Sequence, residues 1–198
     1  MLDRSIPYYN IFMRCDSYGL KSINLPEGYQ IITYRPGLEK EWARLETAIR
    51  DFDSPTAAED YFVSEFTGKN LDDHILFMTD DSKKIVGSCI AWYRCRNEER
   101  LNLLHWLVVD EHCQGKGLGR ELCQAVMNLF YQEGNKSVYL HTQPWSYPAI
   151  FLYTRLGFRL EKHDCIPPHN NQYNQAMATL KNIVSPEQYA FLLAHSEE

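Results

Sequence analysis

Apolar positions change period several times along the chain, and each change marks an element. Gly28-Tyr29-Gln30-Ile31-Ile32-Thr33-Tyr34 reads as a strand stopped by Arg35-Pro36-Gly37. Residues 38–52 carry Trp42, Leu45 and Ile49 at helical offsets, and Ser54-Pro55 opens a second helix that runs to Thr67 before Gly68. Residues 74–78 and 85–93 form a hairpin around a polar turn at 79–83. Residues 101–109 are apolar enough for the centre of a sheet. After a glycine-rich turn, Leu118, Leu122, Ala125, Val126, Leu129 and Phe130 recur at offsets of three and four, which predicts a helix. Gly134 ends it, and 137–142 is the next strand. Residues 149–156 form a helix closed by Gly157. Residues 158–163 and 173–183 are expected as two further strands around a polar, proline-containing loop. A last helix follows Ser185-Pro186. Residues 1–28 look irregular, except for an apolar-aromatic run at 8–13 that suits an added strand. The fold class this order predicts is α/β (α+β mixed), a mixed sheet with helices on its faces.

Composition narrows the function classes. At 198 residues, 44% hydrophobic and 13% aromatic, the chain can bury a sizeable core. No apolar run approaches the roughly 18 residues that span a bilayer, and the start lacks the basic-then-apolar pattern of a signal peptide. A soluble, cytoplasmic protein with no membrane partner is the expectation. A formal net charge of −6 argues against nucleic acid, whose phosphates call for clustered Lys and Arg. Six cysteines without a secretory signal are expected as reduced thiols. Cys165 with His169, or His112 with Cys113, has no second pair at ligand spacing, so no metal is expected.

The chemistry starts at Gln114-Gly115-Lys116-Gly117-Leu118-Gly119, between a buried strand and a helix. Glycines let the backbone approach a phosphate, and the helix N-terminus supplies N–H groups and partial positive charge. A glycine turn without a ligand has the same spacing. Two familiar phosphate loops fail: a Walker A lysine needs Ser or Thr next, whereas Gly117 and Leu118 follow Lys116. A dinucleotide fingerprint needs a small residue where Arg120 stands.

The stretch from Leu107 to Gly119 resembles the acyl-CoA motif of the GNAT superfamily: a hydrophobic strand, a short polar turn, then Gln-x-x-Gly-x-Gly opening a helix. Ala149-Ile150-Phe151-Leu152-Tyr153-Thr154-Arg155-Leu156-Gly157-Phe158 is similar to the superfamily's segment on its last helix. The resemblance covers residues 29–183. It leaves residues 1–28 as an N-terminal extension packing on the domain and 184–198 as a C-terminal helix. It implies a mostly antiparallel twisted sheet flanked by helices, with acetyl-CoA as co-substrate. It also implies that Gln114 and the amides of Gly115, Lys116, Gly117, Leu118, Gly119 and Arg120 hold the pyrophosphate. The main chain of Leu107, Val108 and Val109 would meet the pantetheine arm, and Ala149 and Tyr153 would approach the cofactor from the last helix. Where many members carry an asparagine, this chain has Ser146.

Acyl transfer needs a neutral amine and a proton for the departing thiolate. An alkylamine of pKa about 10.4 lies some three units from its neutral form at pH 7, so a base near neutrality helps. His105 fits on the strand entering the motif. By strand alternation it shares a side with Leu107 and Val109, and Leu104-His105-Trp106-Leu107 resembles the same strand of arylalkylamine acetyltransferases. A core histidine satisfied by backbone fits equally well, and His141 has a weaker claim. Tyr153 matches the family tyrosine that protonates the CoA sulfur, although its offsets also suit a core tyrosine. Asp51, Asp53, Asp110 and Glu111 are candidate acids for a substrate ammonium, and Tyr34, Trp106, Trp145 and Tyr147 are candidate pocket aromatics. A Cys113 or Cys165 nucleophile is not needed by the resembled chemistry.

Three functions remain: acetylation of a small-molecule primary amine, acetylation of protein or peptide amines, and non-catalytic sensing of acyl-CoA. A C-terminal hairpin end followed by a helix is compatible with a homodimer.

Overall fold

Capping and apolar spacing set most element bounds. The computed structural model describes residues 3–67, 72–164 and 166–197, organised as two units. The first unit comprises residues 20–92 and 104–133, and the second residues 2–19, 93–103 and 134–198. Among the described residues, seven strands hydrogen-bond in the order β2 (Gln30–Thr33), β3 (Ile75–Thr79), β4 (Ile85–Arg96), β5 (Glu99–Val109), β6 (Val138–Thr142), β1 (Ile11–Cys15) and β7 (Arg159–Leu160). The sheet is mostly antiparallel, as expected, with a parallel β5–β6 pair at Leu103↔Tyr139.

In the first unit, β2 (Gln30–Thr33) pairs antiparallel with β3 (Ile75–Thr79), and β3 with the start of β4 (Ile85–Arg96). Helix α1 (Leu38–Ala48) follows Gly37, whose φ of 104° suits glycine. It ends earlier than expected, at a left-handed Arg50. Helix α2 (Pro55–Phe66) starts on Ser54, whose side chain accepts from the Ala57 amide, and buries Ala58, Phe62 and Phe66 four residues apart. Those rings pack with Trp42 of α1, at centroid separations of 5.3 Å to Phe62 and 6.2 Å to Phe66. Helix α3 (Leu118–Gln132) buries Leu118, Leu122, Val126, Met127 and Phe130 on one face. The last part of β5 (Glu99–Val109) completes this unit.

In the second unit, β1 (Ile11–Cys15) lies between β6 (Val138–Thr142) and β7 (Arg159–Leu160), antiparallel to both. The apolar run expected as an added strand is therefore an interior one, and Ile11, Phe12 and Met13 are at most 1% exposed. Helix α4 (Tyr147–Arg155) joins β6 to β7.

Two expectations for the C-terminal part are corrected. The strand expected over 158–163 is only two residues long, because β7 has just two register partners on β1. The strand expected over 173–183 is a helix, α5 (Tyr173–Ile183). Its buried residues Ala176, Met177 and Leu180 fall at offsets of one and four. Ala, Met, Leu, Gln and Lys favour helix, and Asn171 Oδ1 accepts from the Tyr173 amide to start it. The hairpin expected there, and the homodimer argument resting on it, have no counterpart. Helix α6 (Pro186–Ala194) begins in a full Ser185/Gln188 capping box. Among the described residues, no helix is long and apolar enough to cross a membrane.

Candidate active site

In the first unit, the glycine loop is built by its own backbone. Asp110 N donates to Val86 O at 2.8 Å, which ties the end of β5 to β4. Asp110 Oδ1 accepts from His112 N at 3.1 Å, starting a short 3-10 turn at Glu111–Cys113. Gln114 Nε2 donates to Val109 O at 3.0 Å, so this side chain folds back onto the strand. Gly115 and Gly117 have φ of 77° and 83°, and a Cβ on either would meet nothing within 4 Å. The backbone conformation, not crowding, requires glycine at both. Gly117 N-caps α3 without a side-chain hydrogen bond, and Glu121 N is the first amide to bond back into the helix. The preceding amides have no intrahelical partner at the positive end of a 15-residue helix, an arrangement able to cradle an anion. Leu118, 1% exposed, anchors that helix start. Gly119 is half-buried, and Lys116 and Arg120 are exposed beside the cradle. Lys116 Nζ donates to Tyr29 Oη at 2.9 Å, and this bond holds the ammonium above its ordinary pKa.

Strand β5 carries an irregularity the sequence does not announce. Trp106 has a φ of 49°, rare for a bulky residue, so the pleat is broken between His105 and Leu107. His105 and Trp106 both meet the aromatic layer from α1 and α2. His105 lies 6.2 Å from Phe66, and Trp106 lies 5.2 Å from Trp42, 5.5 Å from Phe52 and 5.4 Å from Tyr61. The expected alternation of His105 with Leu107 and Val109 therefore does not run through this point. The His105 carbonyl accepts from the Cys89 thiol, and its ring is half-buried. Leu107 is half-buried, while Val108 and Val109 are buried.

The candidate acids of this unit separate. Burial pushes the Asp110 carboxyl up, but the His112 amide, Lys84 at 3.2 Å and Arg44 at 3.6 Å outweigh it and hold the group below its ordinary value. Glu111 and Asp53 are exposed. Asp51 donates its amide to the carbonyl of Glu46, a residue the sequence reading missed. Glu46 is 1% exposed on the inner face of α1, and its Oε1 has no hydrogen-bond partner among the described residues. Burial, then the neighbouring Asp51 and Cys89, raise its carboxyl well above the ordinary range. The legible signal is its position four residues after Trp42, on the helix's apolar stripe.

In the second unit, Tyr153 sits on α4, 7% exposed, with its ring edge-on to Phe158 at 6.1 Å. Ser146 Oγ lies 3.0 Å from Thr142 Oγ1 and donates to Gln143 O, so the residue at the family's asparagine position closes the turn before α4. Ala149 is half-buried in the first turn of that helix. His141 is stacked on Phe12 at 5.0 Å and His169 at 4.8 Å, with Nε2 2.8 Å from Asn10 Oδ1. Burial, helped by His169, pushes its pKa down to about 4, too low to deprotonate an alkylamine well. The candidate pocket aromatics are dispersed: Tyr34 packs on Phe62, Trp145 on Tyr8 and under Arg4, and Tyr147 on Phe151. Trp106, through Trp42, and Tyr34, through Phe62, both join the α1–α2 layer. Among the described residues no group of three or more potential metal ligands forms, and Cys165 lies outside them.

A profile of the acetyltransferase (GNAT) family matches residues 39–158. The chain is similar to a mycothiol acetyltransferase of Actinosynnema mirum, 28% identical over 158 residues, covering 77% of this chain and 52% of that protein. It is 31% identical over 133 residues to a probable N-acetyltransferase camello of Xenopus laevis, covering 67% of this chain and 60% of the relative. The chain spans about half the length of the curated relatives it matches. Among solved structures, a GCN5-related N-acetyltransferase from Sphaerobacter thermophilus superposes with a TM-score of 0.59 at 24% identity, covering 78% of this chain and 49% of that one. A GNAT-family acetyltransferase from Colwellia psychrerythraea gives 0.60 at 9%, covering 80% and 55%. These two likenesses speak for the fold alone. The profile, running from the start of α1 through the turn after α4, carries the conclusion: this chain belongs to the GNAT acetyltransferase family.

Proposed function

We propose that the chain transfers an acetyl group from acetyl-CoA to a primary amine on a small molecule, by direct attack of the amine. The observation that carries this reading is the uncapped start of α3 behind two left-handed glycines, with Lys116 and Arg120 alongside. Such a cradle fits the pyrophosphate of CoA. Bound acetyl-CoA supplies the activated acyl group. The amides of residues 115–120 hold the phosphates, and the β5 main chain at Leu107, Val108 and Val109 meets the pantetheine arm. His105 takes the proton that frees the amine lone pair. Tyr153 gives its phenolic proton to the departing sulfur as the carbon–sulfur bond breaks; the nitrogen sheds its second proton to solvent as the amide forms, and the phenolate regains one from solvent. Relatives named for mycothiol support a small acceptor over a protein one. The same proposal places the protein in the cytoplasm, where thiols stay reduced.

The test is thiol release from acetyl-CoA across a panel of amines. Release with at least one amine is expected. Tyr153→Phe should lower kcat about a hundredfold while KM for acetyl-CoA stays within about twofold, as for loss of a group acting in the transition state. Undiminished turnover in that variant removes the assignment of Tyr153. CoA binding by calorimetry without release on any amine replaces catalysis with sensing.

A further inference from the structure

A polar cleft lies in the first unit, lined by residues other than those of the glycine loop. It encloses about 410 Å³, within the range of small-molecule sites. Its apolar part comes from Ile32, Leu38 and Ile85, and its charged part from Arg35, Lys83 and Lys84. The one carboxylate on its wall, Glu41, is already taken by Arg44 Nε at 2.9 Å. Lys84 reaches Asp110 at 3.2 Å, and Lys83 gives one of its three donors to Gln30 Oε1 at 3.2 Å. No ion pair involves Arg35 among the described residues. In a chain of net charge −6, three cations around a half-apolar hollow form a local excess of the opposite sign.

Thr79 gives an independent pointer. It faces Gln30 across the β2–β3 ladder and Ile85 across β3–β4, so its side chain stands on the face that lines the cleft. The residue is 4% exposed, and its Oγ1 has no hydrogen-bond partner among the described residues. A hydroxyl in that position is costly to bury unless an acceptor meets it. An anionic oxygen does so, and the neighbouring cations neutralise its charge.

We infer that this cleft binds a small organic anion, a carboxylate or phosphate carried on an apolar body of a few carbons, through Arg35, Lys83 and Thr79. The test is an amide-resolved NMR titration of the full chain at fixed ionic strength, with hexanoate, hexyl phosphate and hexylammonium as probes. Amides of Thr79, Lys83 and Ile85 report the cleft, and those of residues 115–119 report the glycine loop, so anion binding at the loop is read separately. Saturable shifts at the cleft with either anion and none with hexylammonium are expected. The combined Arg35→Gln and Lys83→Gln variant, altered only at exposed side chains, should raise the dissociation constant about tenfold, as should Thr79→Val. Absent or unsaturable shifts overturn the inference. So do equal shifts with hexylammonium, or binding unchanged in the double variant, which decides the matter even if Thr79→Val fails to fold.

Discussion

Gly117 carries a demand that can be isolated experimentally. Because a Cβ there would touch nothing within 4 Å, Gly117→Ala introduces backbone strain without a clash. A left-handed alanine costs roughly 1–2 kcal/mol. The expected outcome is a melting temperature lower by a few degrees and a weaker CoA affinity in calorimetry, since relaxing the strain turns amides out of the cradle. His141 sets a different test. Burial depresses its pKa to about 4 in the folded protein, so between that value and 6.5 the unfolded chain binds more protons. The stability that neutral His141 contributes is in place above pH 6.5 and falls as pH drops toward 4. In urea titrations, the parent should lose about 2 kcal/mol between pH 6.5 and 5 relative to His141→Gln. Neither the depression nor its cause is visible in the sequence, because both come from Phe12 and His169, distant in the chain.

At the scale of elements, the close approach of β4 and β5 beneath α3 rests on Gly87. A Cβ at that position would lie 3.0 Å from the Val108 carbonyl oxygen and 3.1 Å from Leu122 Cδ1. The first is backbone and cannot step aside. Gly87→Ala should therefore destabilise by about 1–3 kcal/mol, read as a shifted urea midpoint. Helices α2 and α3 were legible because Ser54-Pro55 and the Gly117 turn mark their starts and their apolar faces keep one period. Helix α5 was expected as a strand although Tyr173, Ala176, Met177 and Leu180 recur at the helical offsets of three, four and seven; what its sequence lacks is a capping side chain at Gln172 to mark the start. The break at Trp106 was equally hidden, since no glycine marks it and packing against Trp42, Phe52 and Tyr61 surrounds the residue.

At the scale of the whole molecule, the backbone of the glycine loop was the readable part of the candidate site, because its geometry is local to six residues. Glu46 and the α1–α2 aromatic layer were not, because they depend on which helix face meets the sheet. The C-terminal tie of the second unit is also tertiary: Leu160 bridges Ser196, and Glu197 N donates to Leu160 O at 2.9 Å. Burial, then Glu197 and Asp164, push the Glu161 carboxyl up to about 8. The folded protein thus binds more protons than the unfolded chain from pH 4.5 upward, and stability is lost as pH rises toward 8. Glu161→Gln should melt higher than the parent at pH 8.5, and the advantage should vanish at pH 4.5. Strand β1 has a consequence in time. It is synthesised before both its neighbours, β6 and β7, with α1 to α3 and β2 to β5 between them. Ile11, Phe12 and Met13 must therefore stay unpaired until β6 and β7 have been made. The second unit can close only in a late, long-range step, of the kind that slows folding and leaves a nascent strand open to chaperones.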